Sequence, residues 1–251
     1  TNSKTSKSFF ANIFMQTAAD YIANGIWVAQ SDSLIGKNVV LANGSQLTKP
    51  VNLNGYFNLR SFFTYSMPIK PIKTTINLNA GVGYTKLPGL SNNIKTITDN
   101  YNYNAGVVFA SNISQYIDFN LFYNASINNA HTRNLTVADN KYINHTFGGT
   151  LNLLNKKGWF IQNDVSNQSY TGLTGGLNTS FWLWNASIGK KFLKKQAGEL
   201  KLSVFDLLKQ NQSITRTVTE TYIQDAQSVV LQQYFMLTFT YSLKNFGKAR
   251  S

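Results

Sequence analysis

Apolar and polar residues alternate with period two along most of this chain, and no apolar run reaches the length of a membrane helix. A period of two places successive side chains on opposite faces of a strand. In 74–84, Ile76, Leu78, Ala80, Val82 and Tyr84 fall on one face, and Asn77, Asn79, Gly81 and Gly83 on the other. The same design returns downstream. Tyr101, Tyr103, Ala105, Val107 and Phe109 oppose Asn102, Asn104 and Gly106. Ile117, Phe119, Leu121, Tyr123, Ala125 and Ile127 oppose Asp118, Asn120, Asn124 and Asn128. Phe235, Leu237, Phe239, Tyr241 and Leu243 oppose Tyr234, Met236, Thr238 and Thr240.

Ten such segments are expected, at about 7–28, 53–67, 73–87, 97–113, 117–131, 141–154, 158–171, 179–193, 199–211 and 226–246. Most exceed the mean strand of about 5–6 residues, and they reach the roughly 9–11 that a tilted strand needs to cross a bilayer. The connections alternate in length. Short ones fall at 68–72, 114–116, 155–157 and 194–198, and long ones at 29–52, 88–96, 132–140, 172–178 and 212–225. That parity is expected of an antiparallel transmembrane β-barrel with tight turns at one end and loops at the other. A Greek-key sandwich gives no reason for it.

Composition agrees. Charged residues are 13% of the chain, about half the usual share of a soluble domain, while aromatics are 14% and Asn occurs 31 times. So rich an aromatic content argues against disorder. Cysteine is absent, which removes disulfides and thiolate metal sites. The net charge of +13 would suit nucleic acid if basic residues shared a strand face with aromatics. They gather instead at the short-turn end, as Lys70, Lys73, Lys156, Lys157, Lys190, Lys191, Lys194, Lys195, Lys244, Lys248 and Arg250. Contact with anionic headgroups or an acidic partner is expected there, and no nucleic acid.

The apolar face predicts lipid contact for Ile76, Leu78, Val82, Phe119, Leu121, Phe235, Leu237, Phe239 and Tyr241. The polar face predicts a lumen lined by Asn58, Arg60, Asn77, Asn79, Asn102, Asn104, Asn120, Asn124, Tyr234 and Thr238. Amides there can bind sugars, peptides or a plug without selecting for charge. No catalytic residue, metal or cofactor is expected. His131 and His145 flank the long connection 132–140, so they could approach each other in a hairpin, but no second pair of metal ligands is evident. The acids fall singly in or beside loops. Gly148-Gly149 and Gly175-Gly176 precede no helix and are read as bulge or loop glycines rather than phosphate loops.

Three stretches carry a resemblance. Residues 231–247 (LQQYFMLTFTYSLKNFG) resemble the closing strand of Bacteroidota outer-membrane β-barrel proteins, which are similar to TonB-dependent receptors. Residues 202–211 with 213–218 resemble the penultimate strand and its loop, and 65–69 (YSMPI) resemble a periplasmic turn. The tripeptide Asp32-Ser33-Leu34 resembles an O-glycosylation pattern of the same bacteria. The resemblance implies the C-terminal part of a barrel of about 22 strands, with no plug among these residues. It implies an outer-membrane location, periplasmic short turns and extracellular long loops. It implies passage of a solute, not enzymatic catalysis. It implies as partners outer-membrane lipid, a plug or the remaining strands in the same or another chain, and a surface lipoprotein. Two alternatives stand beside it: a structural subunit of a larger outer-membrane assembly, and a self-contained ten-strand barrel with an enzymatic or adhesive role.

Overall fold

The computed structural model describes residues 7–35, 39–111, 113–134, 140–173, 178–219, 223–228 and 230–243. Its strands in chain order are β1 (Ser8–Ala18), β2 (Tyr21–Val28), β3 (Ser33–Ile35), β4 (Val39–Leu41), β5 (Gln46–Leu53), β6 (Tyr56–Ile69), β7 (Thr74–Ser91) and β8 (Ile94–Ser111). They continue as β9 (Ile117–Arg133), β10 (Asn140–Leu154), β11 (Trp159–Thr171), β12 (Thr179–Phe192), β13 (Gly198–Phe205), β14 (Ser213–Val218), β15 (Ile223–Ser228) and β16 (Tyr234–Tyr241). One sheet runs in the order β1-β6-β7-β8-β9-β10-β11-β12-β13-β16, each neighbouring pair antiparallel. Among the described residues, β1 and β16 are its two edges and are not paired with each other.

Side-to-side pairing of consecutive strands satisfies the backbone within the sheet, so no second sheet is required. Among the described residues the other sheets are two small hairpins, β14–β15 and β3–β4. The few buried apolar residues, such as Ile26, Tyr142, Tyr170 and Phe181, gather almost wholly at one end. Large apolar side chains stand exposed on all ten strands of the main path, for example Ile13, Leu121 at 52% and Leu237 at 68%.

The four expected short connections all lie at one end of the sheet. They join β6 to β7 through a 3-10 turn at Lys70–Ile72, β8 to β9, β10 to β11, and β12 to β13 through a second such turn at Lys194–Gln196. The opposite end departs from expectation. The connection expected at 88–96 is a two-residue turn, because β7 and β8 pair without interruption from Thr74↔Ser111 to Ser91↔Ile94. Asn92 and Asn93 make that turn with φ of 45° and 66°. Asn tolerates this left-handed pair, which matches the twist of a hairpin. What composition presented as a loop is therefore an eighteen-residue ribbon.

The first expected strand, 7–28, is divided at 19–20 into β1 and β2. The register survives the break, since Ala18 faces Tyr56 and Tyr21 faces Leu53. Gly55, at φ 108°, permits the partner strand to bend with it. Thus β5 occupies much of the expected 29–52 loop, and Ser33 begins a small β3–β4 hairpin inside the remainder. β2 then leans over to pair in parallel with the end of β7 at Gly25↔Leu90 and Ile26↔Ser91. Trp27 donates its indole N–H to Asn93 Oδ1 at 2.8 Å, and Asn92 Oδ1 accepts from Val28 N at 2.8 Å.

The segment expected at 226–246 is also divided: 223–228 belongs to the β14–β15 hairpin, and the edge strand starts at Tyr234. The segment expected at 199–211 ends at Phe205, where Asp206 turns left-handed at φ 48°. The Asp206 carboxylate then accepts from the Gln210 and Asn211 N–H groups, which fixes the loop that follows. Lys244, Lys248, Arg250, Asp139, Glu220, Gly175 and Gly176 lie outside the described residues.

The Asn92–Asn93 turn gives a test. Replacing Asn93 by Val forces a β-branched residue into the left-handed region and removes the bond to Trp27, and we expect a loss of about 1–2 kcal/mol. Asn93→Gly keeps the backbone and is expected to cost less than half of that. Urea unfolding midpoints of the refolded protein measure the difference.

Candidate functional site

Two side-chain sets follow from the register. In every antiparallel pair, residues directly opposite share a face. Asn58↔Thr85↔Asn100↔Ala130↔Asn140 begins one row, and Arg60↔Gly83↔Asn102↔Asn128↔Tyr142 the next. Following these rows across the sheet defines face A. It carries Asn58, Arg60, Asn77, Asn79, Asn102, Asn104, Asn120, Asn124, Tyr234 and Thr238, all ten residues expected to share the polar face. Face B carries Ile76, Leu78, Val82, Phe119, Leu121, Phe235, Leu237, Phe239 and Tyr241.

Face B is a continuous apolar surface. Ile161, Ala186, Ile188, Leu202, Val204 and Phe235 line an open groove of about 310 Å³ across four strands. Its polar members are matched. Trp184 donates to Asn163 Oδ1 at 3.4 Å, and Asn167 donates to Ser180 and to the Phe181 carbonyl. Ionisable groups sit at the ends. Lys190 lies over the Trp159 ring at the short-turn end. At the other end Asp99, 2% exposed, accepts from the Tyr84 hydroxyl at 2.6 Å and pairs with Arg133 at 2.6 Å. His131 stands across from Asp99, whereas His145 faces Ala125, six residues away along β9. At about 3.3 Å per residue that is about 20 Å, so the two histidines do not share a hairpin end.

Face A has three zones. Over β7–β10 it is an amide field. Asn102 donates to Asn128 Oδ1 at 2.6 Å and to Ser126 at 3.2 Å, and accepts from Asn104 at 3.1 Å. Ser66 donates to Asn77 Oδ1 at 2.6 Å. Asn79, Asn104, Asn124, Ser126, Asn144 and Thr146 surround a hollow of about 150 Å³. Gly106 lies between Asn79 and Asn124 in the register, and a Cβ there would collide with their amide oxygens. The amide oxygens of Asn100, Asn120 and Asn144 are buried without a partner. Such acceptors favour an arriving N–H or O–H donor. Arg60 brings the nearest cation, held by Asn58 Oδ1 at 3.1 Å.

The second zone was not legible from alternation alone. At the loop end of β10–β12, Tyr142, Tyr170 and Phe181 form a buried aromatic cluster with Leu173, and Leu183 packs against it. All but Leu173 are face A positions, where polar residues were expected. The third zone is the two edges. Phe10, Phe14 and Phe62 on β1 and β6 expose rings on face A. On β16, Met236 is exposed and Tyr234 stacks on Phe205 at 4.6 Å. Face A is thus wettable at its centre and apolar toward the edges.

Asn102→Ala would remove three amide hydrogen bonds from the centre of this field. We expect a loss of about 1 kcal/mol, small because water replaces part of the pairing. A chemical-denaturation comparison with the unaltered protein checks it.

Residues 97–241 match the outer membrane protein β-barrel family. No curated protein and no solved structure matches the chain. The matched stretch, more than half of the chain, runs from the β8 ribbon to the end of β16. Its geometry is that of the observed sheet: long antiparallel neighbours, one exposed apolar face and one amide-lined face. The chain belongs to the outer membrane protein β-barrel family, and its sheet is a wall of such a barrel.

Proposed function

We propose that this chain is the barrel wall of a transporter resembling TonB-dependent receptors of Bacteroidota, and that it passes a solute across the outer membrane. The observation that carries this reading is the separation of the two faces. Between its ends, where Lys190, Asp99 and Arg133 sit, face B offers lipid an apolar surface across ten strands. Face A offers a solute neutral donors and acceptors, with an amide-lined hollow and buried unpaired amide oxygens. The hollow is lined by amides and hydroxyls and carries no carboxylate, which favours a neutral, hydrogen-bonding solute over an ion.

The two edges support a larger barrel. An edge strand buried in hydrocarbon leaves a row of backbone groups without partners, which a bilayer does not tolerate. β1 and β16 therefore meet further strands, as in a barrel of about 22 strands whose plug or remaining wall lies in the same or another chain. A structural subunit of a larger envelope assembly is the second reading, and the same free edges favour it. In both, the lysine-bearing short turns face the periplasm and the long connections, with Ser33, face outward. A surface lipoprotein would meet that outer end.

Charge insertion tests the membrane assignment. Leu121→Arg and Leu151→Arg on face B are expected to cost about 2–4 kcal/mol each if they fall at the midplane, whereas Thr146→Arg on face A costs under about 1 kcal/mol. Equal costs on the two faces contradict it. The transport assignment is tested by solute uptake in cells with and without the proton-motive force. Uptake that needs both this protein and the force is expected; uptake indifferent to the force contradicts TonB-like energisation.

A further inference from the structure

We propose that face A between β1 and β8 holds a binding site for an acidic sugar, with Arg60 taking its carboxylate. This rests on the transporter reading above, and it adds one charged group to a solute whose body is met by neutral amides. Arg60 stands within β6, opposite Phe14 of β1 on one side and Gly83 of β7 on the other. Its Nε donates to Asn58 Oδ1 at 3.1 Å, and Asn58, 2% exposed, donates in turn to the Tyr56 hydroxyl at 3.4 Å. A buried amide thus fixes the direction of the guanidinium through one nitrogen. Among the described residues no carboxylate pairs with Arg60, so both terminal nitrogens are left to a ligand. Such a fork matches a carboxylate in bidentate geometry.

The surroundings supply the other contacts a sugar needs. Toward β8, only Gly83 separates Arg60 from Asn102 in the register, so two strand spacings, about 10 Å, carry no side chain between them. A Cβ at Gly83 would come no closer than 3.5 Å to a neighbour, so the trench above it is open. One row along, a Cβ at Gly81 would strike the Asn104 amide, which therefore leans across β7 and walls the trench. Asn104 donates to Asn102 Oδ1 at 3.1 Å, and among the described residues its own amide oxygen is left for an arriving hydroxyl. Toward the β1 edge, Phe14 and Phe62 flank Arg60 on the same face, 50% and 44% exposed. Rings so placed suit the C–H face of a pyranose, which is apolar although its rim is hydroxylated. A neutral sugar leaves the fixed cation unanswered, and a bare anion leaves the rings and the amide unanswered. A uronic acid answers all three.

The test uses the native protein, purified from outer membrane in detergent, and saturation-transfer NMR titrations with galacturonate and galactose. These sugars differ only by a carboxylate in place of a hydroxymethyl group. Galacturonate is expected to bind about tenfold more tightly. R60Q is expected to abolish that preference while leaving galactose within about twofold. R60K is expected to restore it in part, because a lysine supplies the charge without the fork. G83L fills the trench and is expected to weaken both sugars together. Heat-dependent gel migration reports that each variant is folded. Equal binding of the two sugars by the unaltered protein overturns the proposal. So does an equal loss of both in folded R60Q, which is what a purely structural arginine would give. Displacement of galacturonate by equimolar inorganic phosphate overturns the sugar assignment and leaves a general oxyanion site. Binding is read without transport, so the two readings fail separately. Galacturonate preference without galacturonate uptake by cells removes the transporter reading and keeps the site; uptake without the preference overturns the site alone.

Discussion

Hydrocarbon offers the peptide group no hydrogen-bond partner, and every other feature of this structure answers to that constraint. A sheet wall answers it by pairing each strand with two neighbours. Once backbone polarity is consumed by the ladder, side chains alone decide what each face touches. The consequence is visible in β9, where Phe119, Leu121, Tyr123, Ala125 and Ile127 alternate with Asn120, Asn124, Ser126 and Asn128. A shift of one residue would place every amide in lipid, so the register is held by burial cost on both faces. The scarcity of charge follows. Most ionisable side chains stand near the strand ends or in pairs such as Asp99–Arg133 and Arg216–Asp225, while Arg60, Asp164 and Lys201 stand within strands on face A.

The constraint ends where the bilayer ends, and the fold changes character there. Beyond the apolar band β7 and β8 continue as a free ribbon, capped by two left-handed asparagines and braced by β2 through Trp27 and Asn93. Here alone conventional cores appear: Ala23 and Ile26 under the ribbon, and the tyrosines with Phe181 under the β14–β15 hairpin. The loop end is thus a set of small packed units mounted on a wall whose own apolar surface is not a core at all. The aromatic floor belongs to both regimes, lying on face A yet sealed from water by the hairpin.

Alternation made the wall legible from the chain alone. It located all ten strands of the main sheet path, the four short turns at one end, and the common face of residues as distant as Asn58 and Thr238. Besides running 7–28 and 226–246 each as one segment and carrying 199–211 past Phe205, it missed three features, each for a physical reason. Asn92-Asn93 lies between turn-like residues, so 88–96 reads as a loop, although Asn is the residue that permits a two-residue hairpin. Residues 46–53 are polar and contain Pro50, a poor strand signal. They form β5 because β2 supplies a partner already aligned by the β1–β6 ladder. The Tyr142, Tyr170 and Phe181 cluster falls on positions of mixed polarity, and only the β14–β15 hairpin, far along the chain, makes those positions interior. Charges at 244–250 contributed to the expected basic rim, while the described rim rests on Lys70, Lys73, Lys156, Lys157, Lys190, Lys191 and Lys194.

The central claim is that one face of this sheet meets lipid and the other meets water. It is tested most directly by placing a nitroxide spin label singly at each position from 117 to 133 in the bilayer-reconstituted protein. Relaxation by oxygen, which concentrates in lipid, and by a water-soluble nickel chelate is then measured at every site. The account predicts two opposed waves of period two, with oxygen maxima at the odd positions of 119–127 and nickel maxima at the even ones, fading beyond Asn129. Waves in phase, or oxygen maxima at Asn120, Asn124 and Ser126, would contradict it.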